Sequence, residues 1–222
     1  MTEEEWISAA RPSKLLRFLH SDADASDRKF RLFGVACCRR VVEQLPDVTL
    51  ADVIDGCEQL ADDFTFARLT SLRRTADRVA ESARSVDSDS DQDYIEYSTA
   101  VCQLTEYPIA PEHCADSCMN ALCGHDDYDT GRGEMLFQVD LLRDVFGNPF
   151  RPVVFSSEWR TDTAVSLART MYESREFGAM PILADALQDA GCDNPDILDH
   201  CRDTAQVHVR GCWVVDLVLG KG

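Results

Sequence analysis

The sequence predicts an all-α fold, a compact multi-helix globule of about nine or ten helices. Apolar residues recur at spacings of three and four through most of the chain, as they do on the buried face of a helix. Helix-starting residues (Ser, Thr, Asp and Pro) precede these stretches, and Gly or Pro follows them. One segment, 148–155, contains two prolines and is predicted to be a short extended strap, because a residue that precedes proline is disfavoured in the helical region.

Three helices are predicted before Pro46. Thr2 and Glu5 have the spacing of a capping box for the first, and Ser13 caps the second. The third opens at Ser26, and its apolar face predicts a long buried helix. That face consists of Phe30, Phe33, Cys37 and Val41, widened by Val35, Cys38 and Val42.

Four helices are predicted in the middle of the chain. The first starts at Thr49, and the second runs from about Thr65 to Arg84. The third runs from Tyr94 to Tyr107, and the fourth runs from Pro111 to Cys123. The segment 87–93 is rich in aspartate and is predicted to be an exposed loop. Several arginines lie off the apolar faces, and we expect them to pair with carboxylates of the same molecule. They are Arg39, Arg40, Arg73, Arg74 and Arg78.

The remaining helices are predicted in the C-terminal part of the chain. There are five of them. One covers 134–146 and another begins after its cap residue Thr161; the other three cover 181–190, 195–201 and about 210–219. By periodicity alone the last of these fits a strand as well as a helix. We predict a helix, because an isolated strand in a helical chain has no partner for its backbone hydrogen bonds.

The length of the chain favours a single helical domain over residues 1–222. The polar, glycine-containing segment 124–133 is the best position for a sub-boundary within it. Such a boundary would separate an N-terminal helical half, 1–123, from a C-terminal helical half, 134–222.

The charge of the chain limits its partners. It has 22 Lys and Arg against 40 Asp and Glu, a formal net charge of -18. A surface of this kind repels phosphate backbones and anionic lipid, so we expect no nucleic acid and no membrane as partner. The first six residues are acidic and lack the apolar core of a signal peptide. We therefore expect a cytoplasmic protein with ten mostly reduced cysteines and a protein partner of unknown identity.

The strongest pattern for chemistry lies near the C-terminus. His208 and Cys212, together with Cys192 and either His200 or Cys201, supply the nitrogen and sulfur atoms that zinc prefers in a tetrahedral site. If the last segment is helical from 208 onwards, His208 and Cys212 share one helix face. The chain contains no Cys-x-x-Cys pair, however, and free cysteines commonly pack as small apolar side chains. Metal binding and core packing both remain open here.

Two further patterns involve cysteine. Cys114 and Cys118 share a helix face, with Cys123, His113 and His125 nearby in the sequence; core packing explains the pair equally well. Separately, Cys212 follows Arg210 near a predicted helix N-terminus, which would lower the pKa of its thiol, and His208 would be the base. The sequence supplies neither an orienting third group nor an oxyanion site for such a nucleophile.

Three sets of motifs resemble an uncharacterised family of paralogues from planctomycete-type bacterial genomes. They are Ser26-Asp27-Arg28-Lys29 with Ala36-Cys37-Cys38-Arg39-Arg40, Phe146-Gly147-Asn148-Pro149-Phe150-Arg151-Pro152-Val153, and Gly191-Cys192, His200-Cys201-Arg202 and Val209-Arg210-Gly211-Cys212-Trp213. The resemblance covers both ends of the chain, and about 65–132 lies outside it. It implies a cytosolic bacterial protein, and it brings no activity with it.

Two hypotheses follow from the sequence. The first is a non-catalytic helical interaction or scaffold module that needs no cofactor. The alternative is a zinc-binding or thiol-dependent protein that uses the C-terminal Cys and His residues. The sequence favours a protein that is not an enzyme, because a catalytic function has to be argued from a site and the sequence alone identifies no catalytic site.

Overall fold

The structure is a computed structural model, and it describes residues 1–21, 25–42, 47–85, 92–123 and 128–221, the side chains of 128–130 excepted. These ranges contain twelve α-helices and no strand, which confirms the all-α prediction. The predicted total of about nine or ten was too low, although the short helices of six and seven residues near the two ends were each predicted. The helices are α1 (Glu3–Ser8), α2 (Pro12–Ser21), α3 (Asp27–Val42), α4 (Val48–Asp62), α5 (Phe66–Arg84), α6 (Gln92–Leu104), α7 (Pro111–Cys123), α8 (Tyr128–Phe146), α9 (Asp162–Ser174), α10 (Met180–Asp189), α11 (Pro195–Arg202) and α12 (Trp213–Leu219).

Local capping explains where several helices begin. The capping box at α1 is present: the Thr2 N–H donates to the Glu5 carboxylate at 2.9 Å, and the Glu5 N–H donates to the Thr2 hydroxyl at 3.2 Å. Thr65 caps α5 as predicted, with its hydroxyl accepting from the Arg68 N–H. The start predicted for α4 at Thr49 was wrong, because the Asp47 carboxylate caps the helix by accepting from Leu50 N–H at 2.8 Å.

The chain divides into two compact units. Unit 1 comprises Met1 and Ile7–Val139, and unit 2 comprises Thr2–Trp6 and Asp140–Gly222. The division falls inside α8. The sub-boundary at 124–133 remains a prediction: residues 124–127 lie outside the described residues, and 128–133 form the first turns of α8.

In unit 1, α3 packs against α4, α6 and α7, and buries its whole middle portion. The arginines at its end pair with carboxylates, as the sequence predicted, and both are half-buried. Arg39 forms ion pairs with Asp55 at 2.6 Å and with Glu58 at 3.2 Å, and Arg40 pairs with Glu134 at 2.6 Å. Of the aspartate-rich segment predicted as a loop, residues 87–91 lie outside the described residues, and the rest begins α6.

In unit 2, α10 packs against α9 and α11, and α12 packs against α9 and α11. Their apolar faces form one core, with Met171, Leu183, Leu187, Ile197 and Val215 among its fully buried residues.

The extended strap predicted over 148–155 is not confirmed. The segment opens with a turn instead, in which the Arg151 N–H donates to the Asn148 carbonyl at 3.0 Å. A 3-10 turn, Ser157–Trp159, precedes α9. Among the described residues, no helix has the length and apolar character needed to cross a bilayer.

Candidate metal centre

Four side chains converge in unit 2: Asp144, His200, His208 and Cys212. One potential ligand atom from each, a carboxylate oxygen, two imidazole nitrogens and a thiol sulfur, lies within 4.8 Å of all the others. This combination of oxygen, nitrogen and sulfur donors is one that zinc accepts. Three of the four predicted metal ligands therefore come together, joined by an aspartate that the sequence reasoning missed.

Each of the four residues comes from a different part of the unit. Asp144 lies in the last turn of α8, which ends before Gly147 in the left-handed conformation. His200 lies in the last turn of α11, a helix that starts at Pro195 and is capped by the Asn194 side chain. Cys212 is the N-cap residue of α12.

His208 is not on a helix. The segment 203–212 consists of turns and irregular backbone, and α12 begins only at Trp213. The prediction that His208 and Cys212 share a helix face was therefore wrong, although the two side chains do meet. A turn brings them together, in which the Cys212 N–H donates to the Val209 carbonyl at 2.9 Å, beside Gly211 at φ 101°.

Asp144 is the centre of the group. Its side chain is completely buried, and Oδ1 lies 2.8 Å from His208 Nδ1 and 3.3 Å from His200 Nε2. Oδ2 accepts a hydrogen bond from the Val209 N–H at 2.9 Å. Burial acts to raise the pKa of Asp144, but hydrogen bonds from the two imidazoles outweigh it and hold the pKa below its ordinary value.

Cys212 completes the group. Its sulfur lies 3.2 Å from His200 Nε2 and 3.9 Å from His208 Nδ1, and the residue has no exposed surface. Burial raises the pKa of the Cys212 thiol well above its ordinary value. A nucleophilic cysteine has to be reached by its substrate, so the complete burial of Cys212 argues against that role.

Aromatic packing fixes the imidazole planes. The His200 ring is 4.9 Å from the His208 ring, edge to face, and 5.1 Å from the Trp213 ring. Gly147 lies against that Trp213 ring, and a Cβ at this position would come within 3.1 Å of it. The left-handed φ of 68° at Gly147 thus ends α8 and leaves room for Trp213 beside the site.

Cys192 does not belong to the group. It is 2% exposed in the apolar core of unit 2, and its N–H donates to the Leu187 carbonyl at the end of α10.

One feature of the sequence around Asp144 could have indicated its role. Asp144 lies among Leu141, Leu142 and Val145, all fully buried, so it is a carboxylate on the apolar face of its helix. A charge in that position needs a partner.

A second group of potential ligands lies in unit 1. The sulfur of Cys38 on α3 is 3.7 Å from that of Cys114 and 3.6 Å from that of Cys118, both on α7. Of the neighbours that the sequence suggested, His113 is exposed and Cys123 is not part of the group. His125 lies outside the described residues.

Comparisons with protein-family models, with curated proteins and with solved structures found no match. The functional argument therefore rests on the geometry of these two groups, and the resemblance to the planctomycete-type family remains a prediction.

Proposed function

We propose that this chain is a non-catalytic helical module whose C-terminal unit binds one structural zinc ion. Asp144, His200, His208 and Cys212 would be the four ligands. The observation that carries the proposal is the convergence of these four different donor atoms in one buried place. It revises the ligand set predicted from the sequence by replacing Cys192 with Asp144.

The distances support a tetrahedral site. Zinc bonds of about 2.0–2.3 Å separate neighbouring ligand atoms by roughly 3.3–3.8 Å. The four separations given above run from 2.8 to 3.9 Å. The shortest joins Asp144 Oδ1 to His208 Nδ1, where a hydrogen bond takes the place of the ion. The two remaining separations, Asp144 to Cys212 and His200 to His208, are at most 4.8 Å, so shifts of about an ångström or less would accommodate zinc.

The number and burial of the ligands favour a structural role. A catalytic zinc ion typically has three protein ligands and leaves its fourth position to water or substrate, whereas a structural ion has all four positions filled by protein. Here four side chains are available. The side chains of His200 and His208 are only 7% and 6% exposed, and Asp144 and Cys212 are buried.

A zinc ion at this place would tie the irregular segment 203–212 to three helices. Asp144 already accepts from the Val209 backbone, which orients one carboxylate oxygen and leaves the other towards the imidazoles. Such a bond to a ligand's second oxygen is the usual support for a metal-binding carboxylate. The ion would stabilise the folded unit, because the ligands are not assembled in the unfolded chain.

Metal analysis of the purified chain tests the proposal. We expect Cys212→Ala to bind one zinc equivalent fewer than the wild type. Cys201→Ala is the matched control, since Cys201 is also a buried cysteine of unit 2 but lies outside the group. It should keep the full zinc content. Substituting cobalt(II) adds a second readout, because a tetrahedral site with one thiolate gives visible and sulfur charge-transfer absorption that Cys212→Ala should lose.

Equal zinc content in the wild type and Cys212→Ala would contradict the proposal. A second variant, His208→Ala, removes a different ligand of the same site and so tells the loss of a ligand from misfolding of one variant. Both Cys212→Ala and His208→Ala should bind one zinc equivalent fewer than the wild type. Their far-ultraviolet circular dichroism should remain helical at low temperature.

A further inference from the structure

We propose that unit 1 contains a second metal site, formed by Cys38, Cys114 and Cys118, for a thiophilic d10 ion such as copper(I) or zinc. This inference is independent of the zinc site proposed for unit 2. It rests on the meeting of three buried sulfur atoms from two helices.

Two features of the helices create the group. Cys114 and Cys118 are four residues apart on α7 and therefore present their sulfurs on one face. Cys38 projects from α3, which packs against that face. Gly34 allows the approach: a Cβ there would come within 3.4 Å of the Cys114 sulfur and 2.6 Å of the Leu104 side chain.

The sulfur positions fit a common ion. Cys38 lies 3.7 and 3.6 Å from the other two sulfurs, and all three lie within 4.8 Å of one another. Three thiolates bonded to one ion at about 2.3 Å are separated by roughly 3.8 Å in tetrahedral geometry. Two of the three separations therefore already match, and the third, between Cys114 and Cys118, needs to close by about 1 Å at most.

The donor set selects the class of ion. All three donors are soft sulfurs with no exposed surface, and among the residues that the structure describes no imidazole or carboxylate is grouped with them. Soft thiolates select copper(I) and zinc over hard cations such as magnesium or calcium. Copper(I) is satisfied by three thiolates, and zinc would add a fourth ligand. Binding releases the thiol protons to solvent, because the thiolate is the form that binds metal.

Site-directed variants and two metals test this inference. The full chain is loaded with zinc, or with copper(I) under anaerobic reducing conditions, and analysed for bound metal. Cys118→Ala should bind one equivalent fewer than the wild type of at least one of the two metals. Cys57→Ala, a buried cysteine of unit 1 outside the group, is the matched control and should bind as the wild type does. The Cys212→Ala variant, whose change lies in unit 2, should still bind the metal equivalent that is lost in Cys118→Ala.

X-ray absorption on the wild-type chain avoids any dependence on variants that fail to fold. Zinc in both sites gives an average of two sulfur ligands per ion, from one in unit 2 and three in unit 1. Zinc in unit 2 alone gives one, zinc in unit 1 alone gives three, and copper(I) in unit 1 gives three sulfurs. The inference is overturned if neither metal yields a component with three sulfurs, or if the wild type and Cys118→Ala bind the same amount of both metals.

Discussion

Both groups of potential ligands lie largely in the interior, but they differ in what they require when no metal is present. The group in unit 2 contains a carboxylate, Asp144, whose negative charge is costly in the interior unless imidazole protons or a cation compensate it. The group in unit 1 contains only thiols. Burial chiefly raises the pKa values of Cys38 and Cys118 well above the ordinary value, so these two thiols remain protonated, whereas hydrogen bonds from Cys118 and Cys38 lower the pKa of Cys114 to about 5.

This difference predicts how much each unit depends on metal. In the metal-free form of unit 2 a buried charge depends on hydrogen bonds from two imidazoles, so the loss of either partner is costly. In unit 1 hydrogen bonds among the three sulfur atoms make the metal-free form tolerable. We therefore expect the larger response to metal removal, and to substitution at the ligands, in unit 2.

Metal removal should give the largest effect. A chelator is expected to lower the stability of unit 2 by about 4 kcal/mol if the free ion had been present at a thousand times its dissociation constant. The three tryptophans of the chain, Trp6, Trp159 and Trp213, all belong to unit 2, so their fluorescence reports its unfolding separately from the circular dichroism of the whole chain.

Cys212→Ala serves as the control for this experiment. Its tryptophan transition should lie near that of the chelated wild type and should not shift when chelator is added. If chelator did not change the tryptophan unfolding transition of the wild type, unit 2 would not depend on metal more than unit 1 does.

Neutralising a buried carboxylate in each unit sharpens the comparison. Asp144→Asn should destabilise unit 2 by about 1.5–3 kcal/mol, the usual cost of losing hydrogen bonds to a buried charged group. Glu134→Gln is the counterpart in unit 1. Its partner Arg40 is 39% exposed and can be solvated, so we expect a loss of about 1 kcal/mol or less. Urea unfolding followed by tryptophan fluorescence and by circular dichroism measures both; equal losses would contradict the expected order.

The pH dependence of stability provides the smallest effect. Burial raises the pKa of Glu134 above its ordinary value of 4.5, with Arg40 and Gln138 acting in the opposite direction. The folded state therefore holds this proton more tightly than the unfolded state. Its contribution to stability is present below pH 4.5 and is lost as the pH rises through the folded pKa.

The difference in unfolding free energy between the wild type and Glu134→Gln measures this contribution across the same pH range. The other titrating groups of the chain contribute equally to both proteins and cancel in this difference. We therefore expect the wild type to lose stability relative to Glu134→Gln as the pH rises. A difference that does not vary with pH would show that Glu134 titrates alike in the folded and unfolded chain.

Local patterns were sufficient for most helices. The bounds of α7 at Pro111 and Cys123 were predicted correctly, because a proline in the first turn and a following glycine mark both ends. The start of α5 was predicted from Thr65, whose side chain caps it. Asp47 was missed at the start of α4, although the same kind of cap operates there, because Thr49 offered a competing start with similar spacing.

The sites were predicted only in part. The sequence by itself determined only that His200, His208 and Cys212 fall in one short stretch of the chain, which suggested them as ligands, but the same closeness applied to Cys192. The replacement of Cys192 by Asp144, and the meeting of Cys38 with Cys114 and Cys118, were decided only by the tertiary structure. Periodicity specifies which side of a helix is buried, whereas the packing of helices distant in the sequence decides which buried atoms meet.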